Sequence, residues 1–165
     1  MLTEQQYIDT FKAMGLIAME THGGEAKVNW AMSLLEQGVE TDSLSILTTL
    51  KKFINEFEAD DYFNRVLKEL NISRPDRKGA VLGYAKVIAL EVTQGKITSS
   101  EGVSLLHYAY INIDYASELG EYAVLKDEEY LKDVNGWSES QTNLERINAC
   151  KETYAALVYP NITGA

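Results

Sequence analysis

Apolar residues recur along this chain at intervals of three and four, the spacing of one face of an α-helix. With the caps and breaks around it, this pattern predicts helices over 3–22, 25–37, 42–50, 56–70, 79–93, 98–113, 114–125 and 141–157, and a short further segment over 128–134. The predicted fold class is all-α: a compact multi-helix bundle of about eight helices built from αα-hairpins. We expect a single domain over 1–165.

Two turns in the chain share the pattern Gln-Gly-x-x-Thr-x-Ser, at 37–43 and at 94–100. In each, a glycine can close one helix at positive φ, and a hydroxyl three residues later can cap the next helix. This chemistry predicts an αα-hairpin at both places. The segment 79–93, which leads into the second turn, is apolar around most of its circumference. We therefore expect it to be the most buried helix and the central one.

The first turn lies in a longer run of packing and capping residues, Leu34-Leu35-x-x-Gly38-x-x-Thr41-x-Ser43-Leu44-x-Ile46-Leu47-x-x-Leu50, followed by Tyr62-Phe63 and Leu67-x-x-Leu70. In these residues the chain resembles a group of bacterial all-helical proteins that has no assigned activity. The resemblance covers roughly the middle half of the chain and implies a helical fold in a bacterial or phage setting. It carries no functional residue over, because the motif contains no reactive side chains.

The formal net charge is −10, and it is unevenly spread. Residues 1–70 carry −6, residues 71–110 carry +2 and residues 111–165 carry −6. Such a field repels phosphate backbones, so we expect no direct binding to nucleic acid. The same field attracts cations, so we expect a basic protein partner. Association with a second copy of the chain stays open.

Targeting features are missing from the sequence. The opening Met-Leu-Thr-Glu-Gln has neither a basic n-region nor an apolar h-region, so no signal peptide is expected. The longest apolar stretch, 81–92, is interrupted by Lys86 and Glu91 and is too short to cross a bilayer. The single cysteine, Cys150, leaves no intramolecular disulfide. We expect a cytoplasmic protein that does not associate with a membrane.

The sequence contains no pattern that is typical of a catalytic site. Cys150 falls on the apolar stripe of the last helix, where a thiol packs as a small hydrophobic group. His22 precedes two glycines and is interpreted as the C-terminus of a helix, and His107 is interpreted as packed inside one. No Gly-x-Ser-x-Gly elbow is present. We therefore predict no catalytic residue and no enzymatic activity.

Metal and cofactor sites also lack their sequence signatures. A Glu-x-x-His ligand pair needs a glutamate three residues before a histidine, and Met19 and Ser104 stand at those positions. The acidic run 127–133 lacks the central glycine of a calcium loop. Glu118 and Glu121 share a predicted helix face, which leaves magnesium binding by carboxylates alone open, but two acids one turn apart are more typical of a solvated surface. No metal and no cofactor is predicted.

Tyrosine is over-represented, with ten tyrosines against four phenylalanines and two tryptophans, and several lie in an acidic stretch near the end of the chain. Tyrosine combined with carboxylates is the composition expected of a surface that binds a basic protein. The candidate partner-binding residues are Tyr108, Tyr115, Glu118, Glu121, Tyr122, Asp127, Glu128, Glu129 and Tyr130. Alternatively, the tyrosines line the core with their hydroxyls at its edge.

These features favour an acidic protein-binding module, such as an immunity protein or an inhibitor that neutralises a basic partner, either a nucleic-acid-processing protein or a toxin. An acidic surface of this kind steers association and replaces the phosphates that it displaces. A second possibility is a small-ligand-binding protein or enzyme with a pocket in the bundle near His107 and Tyr84. A third is a structural subunit.

Overall fold

The computed structural model describes residues 1–19 and 23–164, and over these residues the chain is all-α, as predicted. The helices are α1 (Glu4–Met19), α2 (Gly23–Glu36), α3 (Asp42–Thr49), α4 (Glu56–Glu69), α5 (Arg77–Thr93), α6 (Ser99–Asn112), α7 (Tyr122–Leu125) and α8 (Glu139–Ala156). There are also 3₁₀ turns at Leu50–Lys52 and Ser117–Leu119, and a π-helical turn at Tyr130–Val134. Among the described residues no strand forms, and an isolated antiparallel bridge pairs Ile72 with Thr163.

The helices group into two units. Unit 1 comprises residues 1–80 and the segment that starts at Pro160, and unit 2 comprises residues 81–159, so the boundary falls inside α5. The C-terminal segment joins unit 1 because the backbone N–H of Ser73 donates to the carbonyl of Ile162 at 2.7 Å, and the Ile162 side chain is buried. The expectation of a single domain stays a prediction.

In unit 1, α2 packs against α1, α3 and α4 around Trp30. The Trp30 ring meets the Phe63 ring edge-on, with the centroids 5.2 Å apart. Its indole Nε1 donates to the Thr10 hydroxyl at 2.9 Å, and that hydroxyl donates to the carbonyl of Gln6 at 2.7 Å. The polar groups inside this core are thus hydrogen-bonded, as buried polar groups generally are.

In unit 2, α6 packs against α7 and α8. The largest buried side chains of α6 and the segments after it are Leu106, Leu119, Tyr122 and Leu131. Lys86 of α5 reaches the end of α8, where its Nζ donates to the carbonyls of Tyr154 and Leu157 at 2.6 and 2.8 Å. These are carbonyls that the helix itself leaves without a donor. Burial disfavours the charged ammonium and lowers the pKa of Lys86.

Helix α5 is apolar around most of its circumference, which confirms that part of the prediction. Its buried residues include Val81, Tyr84, Ala85, Val87, Ile88, Ala89 and Val92. Because successive helical residues point about 100° apart, this set covers most of the helix surface. Its central placement stays a prediction. Among the described helices, none is both long and apolar enough to span a membrane.

Both Gln-Gly-x-x-Thr-x-Ser turns have the predicted chemistry. Gly38 and Gly95 have φ values of +83° and +71°, which glycine adopts without steric cost. Thr41 caps α3, and Thr98 caps α6 in a reciprocal capping box with Glu101. Each turn therefore ends one helix and starts the next.

The predicted helix over 114–125 is wrong. Asp114 and Tyr115 both adopt left-handed backbone conformations, with φ of +55° and +59°, which end α6. The Tyr115 N–H donates to the carbonyl of Tyr110 at 3.0 Å, a bond across the helix end that replaces the next helical turn. After this break the chain forms the 3₁₀ turn Ser117–Leu119 and then the single α-helical turn Tyr122–Leu125.

Candidate functional site

Three of the four tyrosines predicted to contact a partner are exposed: Tyr108, Tyr115 and Tyr130. Tyr108 shares a face of α6 with Ile111, which is also exposed. Tyr115 lies directly beyond the end of the same helix, with 65% of its surface exposed. We call Tyr108, Ile111 and Tyr115 the tyrosine surface. Large apolar groups exposed together on one element are typical of contact surfaces.

The backbone of Tyr115 is strained. A left-handed conformation costs an L-residue about 1–2 kcal/mol, and it is uncommon for a bulky side chain. The conformation is held by the bond from its N–H to Tyr110 and by the Tyr115 ring, which meets the Tyr110 ring edge-on at 5.4 Å. A large aromatic ring is thus exposed at a strained backbone position, and strained residues of this kind cluster at functional sites.

Tyr122, in contrast, is fully buried, so its predicted role as a partner contact is wrong. Its hydroxyl donates to the Thr153 hydroxyl at 2.6 Å and lies 3.9 Å from the Cys150 sulfur. The break in the predicted helix is the reason, because α7 begins at Tyr122 and packs against α6. Burial raises the pKa of Tyr122 and keeps its phenol neutral.

Glu118 and Glu121 do not share a helix. Glu118 is exposed in the 3₁₀ turn, and Glu121 lies just before α7. The Thr153 hydroxyl donates to a carboxylate oxygen of Glu121 at 3.3 Å, so the buried chain of hydrogen bonds from Tyr122 ends at this acid. Burial, with a further contribution from Glu152, raises the pKa of Glu121 above its ordinary value. Glu121 is therefore an exposed residue whose carboxylate is linked to the core through Thr153.

The acids Asp127, Glu128 and Glu129 are all exposed. Asp127 accepts a hydrogen bond from the backbone N–H of Tyr130 at 3.0 Å, which fixes the start of the π-helical turn. Glu128 lies 3.7 Å from the guanidinium of Arg146. The predicted helical segment 128–134 is thus helical but ends as a π-helical turn, with three carboxylates at its start.

Cys150 is fully buried, as predicted, and burial raises its pKa to about 11, so the thiol stays protonated at neutral pH. His107 is half-buried, and desolvation together with Lys126 lowers its pKa. Tyr84, expected with His107 to line a pocket, is buried. The predicted helix end at His22 lies outside the described residues.

Within residues 1–19 and 23–164, no group of three or more His, Cys, Asp or Glu side chains is placed to hold a metal ion. The carboxylates of the tyrosine-rich segment, between residues 114 and 133, form no such group among the described residues. These carboxylates supply a negative electrostatic field near the tyrosine surface.

A second exposed aromatic pair was not predicted from the sequence. Phe53, just before α4, is 82% exposed, and Phe57 in its first turn is 90% exposed. The signal was present in the pattern, because Phe57 lies off the stripe formed by Phe63, Val66 and Leu67. Both neighbours of Phe57 are glutamates.

No protein-family model matches this chain, and no curated protein or solved structure matches it. Its function is therefore inferred from its own residues.

Proposed function

We propose that this protein is an acidic protein-binding module that binds a basic partner through the tyrosine surface and the carboxylates beside it. An immunity protein or an inhibitor that neutralises a nucleic-acid-processing protein or a toxin would act in this way. The observation that carries the proposal is Tyr115, an aromatic ring held exposed at a cost in backbone energy.

The electrostatics of the surrounding segment support a basic partner. Residues 108–133 hold seven carboxylates and two lysines. Exposed charge of one sign speeds the approach of an oppositely charged protein, and the effect weakens as salt screens it. Tyrosine rings then supply contact area at low entropic cost, which slows dissociation.

The same charge indicates the class of partner. Proteins that cut or bind nucleic acid present cationic clefts to phosphate backbones, and a carboxylate-rich surface can occupy such a cleft in place of the phosphates. The cytoplasmic location expected from the sequence gives this module access to such enzymes.

The test is a direct comparison of surface variants against the product of a neighbouring gene or against a basic protein that co-purifies with the wild type. Tyr115→Asn removes the ring and keeps a residue that tolerates the left-handed backbone, so the fold should be retained. Glu129→Lys reverses an exposed charge in the acidic segment. Glu36→Lys makes the same change in net charge on α2 and serves as the matched control.

We expect Tyr115→Asn to speed dissociation at least about tenfold, as the loss of a central aromatic anchor does. Glu129→Lys should slow association and flatten its dependence on salt, whereas Glu36→Lys should bind almost as the wild type does. The proposal fails if all three variants bind equally well, or if the partner is acidic and its association is insensitive to salt. If Phe57→Ser were the one variant that lost binding, the partner would bind at the second exposed aromatic pair, Phe53 and Phe57, and not at the tyrosine surface.

A further inference from the structure

Unit 2 contains a cavity of about 590 Å³ between the first turn of α6, the π-helical turn and the first two turns of α8. Its size lies within the range of pockets that hold small ligands. The charged, aromatic and amide side chains that line it are Glu128, Lys132, Trp137, Glu139, Asn143 and Arg146. Four of these six side chains are charged, two of each sign, so their positions relative to a ligand decide which ligands the cavity can hold.

Arg146 is the central feature of this cavity, because the residue is largely buried and the hydrogen bond that its guanidinium makes to the described protein comes from Nε. Only 6% of its surface is exposed. Its Nε donates to the carbonyl of Leu125 at 2.9 Å, but the nearest carboxylate oxygen, on Glu128, lies 3.7 Å from Nη1, which is too far for a hydrogen bond. Among the described residues, neither terminal nitrogen of the guanidinium has a hydrogen-bond acceptor.

A guanidinium carries five N–H donors, and in Arg146 the two terminal nitrogens are not among the described buried side-chain atoms that lack a hydrogen-bond partner, so they are accessible from the cavity that the residue lines. Glu128 is a poor counter-ion here, since 76% of its side chain is exposed to water and the ion pair is long. An acceptor with two oxygens, placed in the cavity, would meet both terminal nitrogens of Arg146 at once. Such paired contacts are the strong form of anion recognition by arginine.

Other donors face the same cavity. The Asn143 side-chain carbonyl accepts from the Ser99 hydroxyl at 2.6 Å, which leaves its amide N–H₂ as a donor. Within the part of the chain that the structure describes, that amide, the Lys132 ammonium and the Trp137 indole N–H donate to no protein acceptor. The first turns of α6 and α8 are both among the lining segments, and each is already capped, by Thr98 and by Ser138, so they contribute the positive ends of their helix dipoles.

We infer that this cavity binds a phosphate group, either inorganic phosphate or the phosphate of a small ester, with two phosphate oxygens on the terminal nitrogens of Arg146. Glu128 then leaves its long ion pair, because it and the phosphate compete for the same guanidinium. Lys132 and Asn143 donate to the remaining oxygens. In an ester, the organic part lies against Trp137. This inference is independent of the proposed protein partner.

The experiment is an NMR titration of the whole chain at constant ionic strength, with inorganic phosphate, phenyl phosphate, acetate and chloride as the added anions. The chain has two tryptophans, so the indole signal of Trp137 reports on the cavity, and that of buried Trp30 in unit 1 is the internal reference. We expect phosphate to shift the Trp137 signal saturably, with acetate and chloride far weaker. Tighter binding of phenyl phosphate than of inorganic phosphate would identify an ester as the ligand.

Four variants test how the phosphate is held. Glu128→Gln should tighten phosphate binding severalfold by removing the competing carboxylate, whereas Asp133→Asn, the same charge change within the π-helical turn, should not. Arg146→Lys should weaken binding at least about tenfold, because an ammonium cannot form the paired contacts. If Arg146→Lys does not fold, Lys132→Ala, at an exposed position, should still weaken binding. The inference is overturned if acetate binds as well as phosphate, if the Trp137 signal does not saturate, or if Glu128→Gln and Lys132→Ala bind like the wild type.

Discussion

Asp60 should make an unusually large contribution to stability for an acid that is 44% exposed, because it is the counter-ion of a buried lysine. The Lys27 ammonium, on a side chain only 8% exposed, lies 3.0 Å from one Asp60 oxygen, and Arg74 lies 3.4 Å from the same oxygen. Asn64 donates to the other oxygen at 3.2 Å. The substitution Asp60→Asn keeps the shape of the side chain and removes its charge, so that Lys27 is left buried without a counter-ion.

Burial sets the magnitude of the effect. Removing one partner of a fully buried ion pair costs about 3–5 kcal/mol. Since nearly half of the Asp60 side chain is in contact with water, we expect roughly half of that cost, about 2 kcal/mol. The neighbouring pair Asp61–Arg65 is the matched control, because both of its side chains are more than half exposed. Asp61→Asn should therefore cost less than about 1 kcal/mol.

Urea unfolding measures both effects. Asp60→Asn should lower the midpoint with an unchanged dependence on urea, which indicates lost stability rather than a changed unfolded state.

Burial acts to raise the pKa of Asp60, but Lys27 and Arg74 outweigh it and hold the pKa below its ordinary value. The stability that the charge contributes is therefore present above the ordinary pKa and is lost as the pH falls through the folded-state pKa.

The difference in the free energy of unfolding between the wild type and Asp60→Asn should accordingly have its full size at neutral pH and vanish in acid. Equal losses in Asp60→Asn and Asp61→Asn would refute the reasoning, and so would a difference that persists unchanged into acid.

Three further predictions concern Glu121 and two buried side chains, Tyr122 and Ile88. Glu121→Gln should raise stability at neutral pH, because the raised pKa means that folding disfavours the charged carboxylate. Wild-type stability falls as the pH rises through the folded-state pKa of Glu121, so the advantage of the variant should disappear below the ordinary value of 4.5. Tyr122→Phe should cost about 1 kcal/mol in thermal unfolding, because it removes the hydrogen bond to Thr153. Ile88→Asp should abolish soluble expression, because Ile88 is buried and a charge there has no partner.

Each of these has a clear contrary result. An advantage of Glu121→Gln that does not change with pH would mean that the charge is not the cause. Full stability of Tyr122→Phe would show that the short hydroxyl contact contributes nothing. Normal yield and melting of Ile88→Asp would contradict the burial of that face of α5.

The helices could be predicted from the sequence because their cause is local. Apolar stripes and caps such as Thr41 and Thr98 act over three or four residues, and the structure has them where the pattern predicts. The break at Asp114 and Tyr115 could not be predicted, because neither residue is a glycine and the turn is held by a contact with Tyr110. That single break also determines the burial of Tyr122.

The Arg146 cavity could not be predicted for a related reason. Its lining comes from residues 98–100, 128–132 and 137–146, which no single motif spans. In the sequence, Arg146 is one basic residue in a helix with a mixed pattern. Its burial depends on α7 ending at Leu125, whose carbonyl accepts from the arginine. Such a site is set by tertiary packing and has no local signal.

The return of the chain to unit 1 at Pro160 has a consequence for how the protein is made. Residues 81–159 form unit 2 as an insertion within unit 1, and the residues that complete unit 1, including buried Ile162, leave the ribosome after that insertion. While unit 2 is being synthesised, the first eighty residues therefore lack the packing contacts of Ile162. A nascent chain stalled before residue 160 should consequently be more sensitive to protease in its N-terminal helices than the released protein, even though every residue of those helices has already been translated.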